Sequence, residues 1–178
     1  MMHLVTGGAR SGKSHWAEGQ ALAHDGPVTY VATAEVFDAE FALRVEHHRA
    51  RRPGGWAQID AGRDLAAALD AAARPNGLVL VDCLGMWLMR FFARDDSFDA
   101  EAFAVARAGL LATAPRVAGR VLLVSNEVGW GVVPGQAVTR RFVDELGRLN
   151  QSLAAVCDEV TLIACGLPLV LKRAGDGR

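Results

Sequence analysis

A glycine-rich segment near the start of the chain has the residue types that bind nucleotide phosphates. Gly7 to Ser14 read GGARSGKS, with the spacing G-x-x-x-x-G-K-S. The apolar run His3–Thr6 before it predicts a strand, and the helix-forming residues after it predict a helix. In such a loop the backbone N–H groups surround the β-phosphate, the lysine contacts the β- and γ-phosphates, and the serine hydroxyl ligates Mg²⁺. The predicted phosphate contacts are Gly7, Gly8, Ala9, Arg10, Ser11, Gly12, Lys13 and Ser14.

An acidic residue ends a second apolar strand. The run Leu78–Asp82 (LVLVD) places Asp82 at the carboxyl end of a predicted strand, where open α/β sheets bind their ligands. In a protein with a phosphate loop, an Asp at this position holds Mg²⁺ beside the loop serine, here Ser14. The alternative is that Asp82 caps the helix that follows. We therefore expect Ser14 and Asp82 to form the metal site.

A basic segment further along contains candidates for a different reaction. Arg44, His48 and Arg52 are four residues apart, so a helix places them along one side. His47 points about 100° away from His48 on such a helix. Arginines bind phosphates in a bidentate manner, and a neutral imidazole is a nucleophile near neutral pH, so attack on an α-phosphorus would give a nucleotidyl-histidine. The spacing alone favours the alternative interpretation, a solvated basic helix face.

The bulk composition excludes several classes of function. The chain has 178 residues and a net charge of −1, which gives no general attraction for nucleic acids or anionic membranes. No apolar run approaches the roughly 20 residues of a membrane span, and the N-terminus has no signal-peptide pattern. Cys83, Cys157 and Cys165 form no metal-binding or disulfide pattern, which indicates a cytoplasmic protein. We expect residues 1–173 to form one catalytic domain and residues 174–178 to be a frayed tail.

Strand-like and helical patterns alternate along the chain. The predicted strands are His3–Thr6, Val28–Thr33, Leu78–Asp82, Val121–Ser125, Val160–Ala164 and Leu169–Lys172. The predicted helices are Gly12–Ala23, Asp38–Arg51, Asp64–Ala73, Gly85–Phe92, Asp99–Ala114 and Ala137–Cys157. Continuous apolar strands without alternation predict a mostly parallel sheet covered on both faces, in a three-layer α/β fold. The short link Cys165–Pro168 cannot make a parallel crossover, so the last two strands should form an antiparallel hairpin at the sheet edge.

Several motifs in this order resemble one enzyme family. They are GGARSGKS, YVAT (Tyr30–Thr33), R-V-x-x-H-x-x-x-R-P (Arg44–Pro53), LVDCL (Leu80–Leu84), VSNEVGWGVVP (Val124–Pro134), RRF with LGRLNQ (Arg140–Gln151) and CGLPLVLK (Cys165–Lys172). Together they resemble the bifunctional adenosylcobinamide kinase/adenosylcobinamide-phosphate guanylyltransferases of cobalamin biosynthesis. The similarity extends over nearly the whole chain. The phosphate loop is generic, but the histidine and N-E-V-G motifs are specific in combination.

The resemblance implies a fold, two reactions and a set of residue roles. It implies a P-loop NTPase fold of the RecA-like type, with ATP and GTP as substrates and Mg²⁺ as cofactor. In the first reaction adenosylcobinamide is phosphorylated; in the second, GTP guanylylates His48 and the GMP passes to the cobinamide phosphate. It also implies a homotrimer. Further nucleotide contacts implied by the motif positions are Ala32, Thr33, Ala34, Arg49, Ala50, Arg51, Arg52, Asp60 and Asp82.

Some questions stay open at the level of sequence. The family often has Thr or Ser where Gly85 stands, which would weaken the kinase reaction if that hydroxyl orients Mg²⁺ or a phosphate. Asn126 and Glu127 would contact Mg²⁺, the attacking hydroxyl or the nucleotide base, or else belong to a turn closed by Gly129 and Gly131. The alternative functions are a small-molecule kinase without guanylyl transfer, and a recombinase-like ATPase acting on nucleic acid. The near-zero net charge disfavours the second alternative.

Overall fold

The structure is a computed structural model that describes residues 1–35 and 53–175. The predicted helix Asp38–Arg51 lies outside these residues. Elements are numbered here along the described residues. The strands are β1 Met2–Gly7, β2 Val28–Ala32, β3 Ala57–Asp60, β4 Leu78–Asp82, β5 Arg120–Val124, β6 Glu159–Ala164 and β7 Leu167–Lys172. The helices are α1 Lys13–Leu22, α2 Leu65–Ala72, α3 Leu84–Met89, α4 Ala100–Thr113 and α5 Ala137–Val156, and a 3₁₀ turn, Ala114–Arg116, follows α4.

The strands form one sheet in the order β3-β2-β4-β5-β1-β6-β7. The first six strands are parallel, and β7 is antiparallel to β6. The central strands are apolar along their length because both faces are covered. The expected α/β architecture with an antiparallel hairpin at its edge is thus confirmed.

Side chains alternate between two cores on opposite faces of the sheet. Leu4 and Val81 belong to the larger core, which packs under α2, α3, α4 and α5, with Trp87 fully buried among them. Val5 and Leu80 belong to the smaller core under α1. Since successive strand residues point to opposite faces, a continuous apolar strand supplies both layers. This gives the three layers predicted from the sequence.

Two of the helices begin with an aspartate that caps the first turn. Asp64 and Asp99 precede α2 and α4, and their carboxylates accept the N–H groups of Ala67 and Ala102 at 2.9 and 3.1 Å. Such N-caps accept hydrogen bonds from N–H groups that the first helical turn leaves without partners.

None of the helices found in residues 1–35 and 53–175 is both long and apolar enough to cross a bilayer.

Candidate active site

The phosphate loop joins β1 to α1, as its sequence predicts. Gly12 has φ +94°, a left-handed conformation that glycine adopts without strain, and its carbonyl accepts the N–H of Trp16 at the start of α1. Lys13 is 8% exposed, and its Nζ donates to the carbonyl of Gly8 at 3.2 Å. The ammonium is therefore held against the loop backbone, where a bound phosphate would meet it.

Neighbouring chain segments support this loop closely. A Cβ at Gly7 would lie 2.5 Å from the carbonyl oxygen of Ile163 and 2.6 Å from Ser11 Oγ. Gly166, in the turn between β6 and β7, donates its N–H to the carbonyl of Ser11 at 2.8 Å. A Cβ at Gly12 would come within 3.2 Å of Gly166 Cα. The loop is thus packed between its own strand and the edge hairpin.

Ser14 and Asp82 meet at the base of the loop. Ser14 Oγ donates to Asp82 Oδ1 at 3.2 Å, although the two residues are 68 positions apart. Cys83, and not Asp82, occupies the N-cap position of α3, so the helix-capping alternative does not hold. Mg²⁺ in nucleotide sites is bound by one or two protein oxygens and completed by phosphates and water. A hydroxyl and a carboxylate in contact beside a phosphate loop have the chemistry that this cation requires.

Arg90 brings together predicted nucleotide contacts from two strand ends. Its Nε donates to the carbonyl of Thr33 at 2.7 Å, and Nη2 donates to the carbonyl of Ala34 at 3.3 Å and to Asp60 Oδ1 at 3.0 Å. Thr33 in turn donates its hydroxyl to the carbonyl of Cys83 at 2.8 Å. The ends of β2, β3 and β4 are therefore tied together beside Asp82. No sequence motif indicated a role for Arg90, which lies outside the motifs quoted above.

Glu127 lies on the other side of Asp82, next to the first glycine of the loop. Its Oε1 accepts hydrogen bonds from Thr6 Oγ1 at 2.8 Å and from Asn150 Nδ2 at 3.3 Å. Its own backbone N–H donates to the carbonyl of Gly7 at 3.0 Å. Asn150 belongs to α5, so the segment after β5 is held from both the strand and the helix.

The position of Gly85 is adjacent to this segment. A Cβ built there would be 3.4 Å from Asn126 Oδ1 and in ordinary contact with Phe142 and Leu146. A Thr or Ser hydroxyl at position 85 would therefore lie beside the Asn126 amide, not within the phosphate loop. The glycine leaves the Ser14–Asp82 contact intact.

Cys83 directly follows Asp82 in the chain. Burial, and to a lesser extent the charge of Asp82, raise the pKa of Cys83 to about 11. The thiol is therefore protonated at neutral pH, which makes it a poor nucleophile.

The structure places the phosphate loop, Ala32 to Ala34, Asp60 and Asp82 at the carboxyl edge of the sheet. The predicted residues Arg44, His47, His48, Arg49, Ala50, Arg51 and Arg52 lie outside the described residues. The sequence left the role of Glu127 in this site open, and it did not predict a role for Arg90. The contacts that define them join residues far apart in the chain.

Comparison with known proteins identifies similar chains along almost the full length. A protein family described as cobinamide kinase / cobinamide phosphate guanyltransferase matches residues 3–171. The bifunctional adenosylcobalamin biosynthesis protein CobP of Pseudomonas aeruginosa is 44% identical over 174 residues, which cover 97% of this chain and 98% of CobP. The corresponding CobU proteins of Salmonella typhimurium and Escherichia coli are 40% and 38% identical, each alignment covering 97% of this chain and 100% of the relative.

Solved structures of low sequence identity share the fold. An ATPase of a bacterial type III secretion system superposes with a TM-score of 0.57 at 12% identity, over 95% of this chain and 56% of that one. The RadB recombinase superposes with a TM-score of 0.51 at 18% identity, over 90% of this chain and 73% of the recombinase. These similarities show that the chain shares the fold of this ATPase and this recombinase.

Proposed function

The chain belongs to the cobinamide kinase/cobinamide phosphate guanyltransferase family, and from this premise we propose how its residues carry out the two reactions. It is a cobinamide kinase that uses a nucleoside triphosphate to phosphorylate adenosylcobinamide. It is also a guanylyltransferase that converts the resulting phosphate to adenosylcobinamide-GDP. One domain, residues 1–173, contains both activities.

The observation that carries the kinase assignment is the contact of Ser14 with Asp82 below the phosphate loop. The hydroxyl of adenosylcobinamide attacks the γ-phosphorus of ATP or GTP; the new P–O bond forms as the bond to the β-phosphate oxygen breaks. Lys13 and the loop N–H groups bind the phosphates and stabilise the charge of the transition state. Ser14 and Asp82 would hold Mg²⁺, and the cation would supply positive charge beside the phosphate oxygens.

The guanylyl transfer requires a nucleophile, and His48 has that role in this proposal. Its neutral imidazole attacks the α-phosphorus of GTP, forming a P–N bond and releasing pyrophosphate. An oxygen of the cobinamide phosphate then attacks the same phosphorus, which breaks the P–N bond and regenerates the imidazole. Imidazole suits this role because it both attacks and leaves readily near neutral pH. The raised pKa of Cys83 supports the choice, since that thiol stays protonated.

The remaining predicted residues bind the nucleotide. Arg49, Arg51 and Arg52 neutralise the triphosphate and the departing pyrophosphate, with Ala50 between them. Ala32, Thr33, Ala34 and Asp60 contact the rest of GTP. This assignment is supported by the hydrogen bonds of Arg90, which hold Thr33, Ala34 and Asp60 at one place beside Asp82.

The protein in this proposal is a cytoplasmic homotrimer. Two groups of exposed apolar side chains support self-association. Trp130 and Val132 after β5 are 75% and 96% exposed, and Leu167 on the edge strand β7 is 70% exposed. Apolar side chains grouped on the surface are characteristic of regions that bind another protein.

Intact-protein mass after incubation with Mg²⁺ and GTP tests the nucleophile. We expect a GMP-sized, acid-labile increase in mass with the native chain and with His47→Ala, and complete loss of the adduct with His48→Ala. The neighbouring histidine is the matched control because it has the same chemistry in the same segment. An adduct that survives in His48→Ala and is lost in His47→Ala would move the role to His47. Absence of any adduct in the native chain would leave a kinase alone.

A further inference from the structure

Glu127 follows the strand that separates the phosphate loop from Asp82. In the sheet, β5 lies between β1 and β4, and the register pairs Val124 with Val5 on one side and with Asp82 on the other. The chain beyond Val124 therefore leaves the sheet at the edge where the loop begins. The N–H bond from Glu127 to the carbonyl of Gly7 fixes it there. The Glu127 carboxylate is thus held beside the strand residue that precedes the phosphate loop, and β5 is the strand next to the one that ends in Asp82.

The contacts of Glu127 hold one carboxylate oxygen and leave the other available. Thr6 and Asn150 both donate to Oε1. Asn150 is itself fixed, because its Oδ1 accepts the hydroxyl of the fully buried Ser125 and its Nδ2 also donates to the carbonyl of Asn126. Within residues 1–35 and 53–175, no protein group bonds to Oε2. The side chain is only partly buried, and Oε2 does not belong to the buried polar atoms that lack a partner, so Oε2 is accessible to a ligand.

We propose that Glu127 is the general base of the kinase reaction. As the hydroxyl oxygen of adenosylcobinamide bonds to the γ-phosphorus, its proton passes to Oε2, and the nucleoside diphosphate leaves with the electrons of the broken P–O bond. The proton then passes from Glu127 to solvent. A carboxylate that accepts the proton of the attacking hydroxyl is a recurring part of kinase sites. The inference rests on the proposed kinase reaction and adds a catalytic residue to it.

Neighbouring polar groups are less suited to this step. Asp82 already accepts the hydroxyl of Ser14 and is assigned to Mg²⁺, which would suppress its basicity. Asn126 has an amide, which does not take up a proton at neutral pH. Thr6 donates its only hydroxyl proton to Glu127, so it orients the carboxylate and does not compete with it.

The variant Glu127→Gln tests the inference because it keeps the shape of the side chain and an acceptor for Thr6. We expect kcat for phosphorylation of adenosylcobinamide to fall about 100- to 10,000-fold, the range for loss of a general base. Affinity for a fluorescent GTP analogue with Mg²⁺ should stay within about twofold, since the loop and the Ser14–Asp82 contact are unchanged. KM for adenosylcobinamide should also stay close to its native value.

The variant Thr6→Val is the matched control. It removes the hydrogen bond to Glu127 but keeps the carboxylate, so we expect a loss in kcat of about tenfold or less. Equal losses in the two variants, or a parallel loss of nucleotide affinity in Glu127→Gln, would show that Glu127 only supports the loop. A Glu127→Gln enzyme with native kcat would also overturn the inference. A native enzyme that binds nucleotide but does not phosphorylate adenosylcobinamide would overturn the kinase assignment together with it.

Discussion

Single residues in the phosphate loop differ sharply in how much space surrounds them. A Cβ added at Gly7 would lie closer to the Ile163 carbonyl oxygen and to Ser11 Oγ than Cβ atoms lie to such groups in proteins. A Cβ added at Gly8 would meet nothing within 4 Å. Both glycines belong to the same motif. The motif therefore contains glycines required for packing in the free protein and others that leave room for the ligand.

Alanine substitutions at these two glycines should separate the roles. Gly7→Ala must displace Ser11 or the carbonyl of Ile163, and we expect a loss of about 1–3 kcal/mol in the free energy of unfolding. Gly8→Ala should unfold at the same urea concentration as the native chain or slightly above it, because alanine restricts the unfolded state. Urea denaturation followed by circular dichroism measures both. Equal stabilities of the two variants would contradict the packing described for Gly7.

Some of these residues are predictable from the local sequence, and others are not. The phosphate loop and Asp82 were predicted because their chemistry depends on local spacing and on a strand end. The roles of Arg90 and Glu127 were not, because they depend on contacts with partners between 23 and 121 positions away. Such contacts require the order of strands in the sheet. A single sequence does not specify which strand lies beside which.

The edge hairpin stabilises the carboxyl end of α5. Lys172 on β7 donates from Nζ to the carbonyls of Ala154, Ala155 and Cys157 at the carboxyl end of α5. These are carbonyls that a helix end leaves without partners. A cation there also interacts favourably with the helix dipole. The last strand thus stabilises α5 through a side chain and not through the sheet.

Removing this ammonium should destabilise the fold. We expect Lys172→Met to lower the free energy of unfolding by about 1.5–3 kcal/mol, since hydrogen bonds from a charged donor are lost. Leu171→Met is the matched control, because that neighbour is 58% exposed and its replacement should change stability by less than about 0.5 kcal/mol. Thermal or urea unfolding of the two variants checks the difference. Similar stabilities would mean that the three carbonyls are equally well solvated without Lys172.

Element boundaries show where hydrophobic patterns are informative. The strand Leu78–Asp82 was predicted with its observed bounds because it is apolar throughout and central in the sheet. The edge strand β3, Ala57–Asp60, was missed, since most of its residues are exposed and carry no apolar pattern. The hairpin was predicted, but its turn is shorter than expected: Cys165 and Gly166 both have positive φ, and β7 begins at Leu167.

For the molecule as a whole, a buried histidine links stability to pH. His3 in β1 packs edge-on against Trp16 and hydrogen-bonds through Nε2 with Thr161 at 2.9 Å. Burial lowers the pKa of His3 below its ordinary value of 6.5, against the charge of Glu159, which raises it, while Arg120 lowers it further. The folded protein therefore takes up this proton at lower pH than the unfolded chain does.

Stability should consequently decrease in acid. As the pH falls below about 6.5, the unfolded chain is protonated at His3 first, so the free energy of unfolding falls. The variant His3→Gln keeps a polar group for Thr161 but takes up no proton, and we expect a shallower decrease between about pH 8 and about pH 5. Urea unfolding of both proteins across this range measures the two slopes. Parallel slopes would mean that His3 does not contribute to the acid sensitivity.

The turn between β6 and β7 has a consequence for changing the length of the chain. Exposed hairpin tips are ordinarily sites where proteins accept insertions, and where epitope tags or fused domains are placed. Here the tip is bonded to Ser11 and packs against Gly12. A lengthened tip would displace the phosphate loop. The family should therefore resist insertions and deletions at this hairpin during evolution, although it lies at the outer edge of the fold.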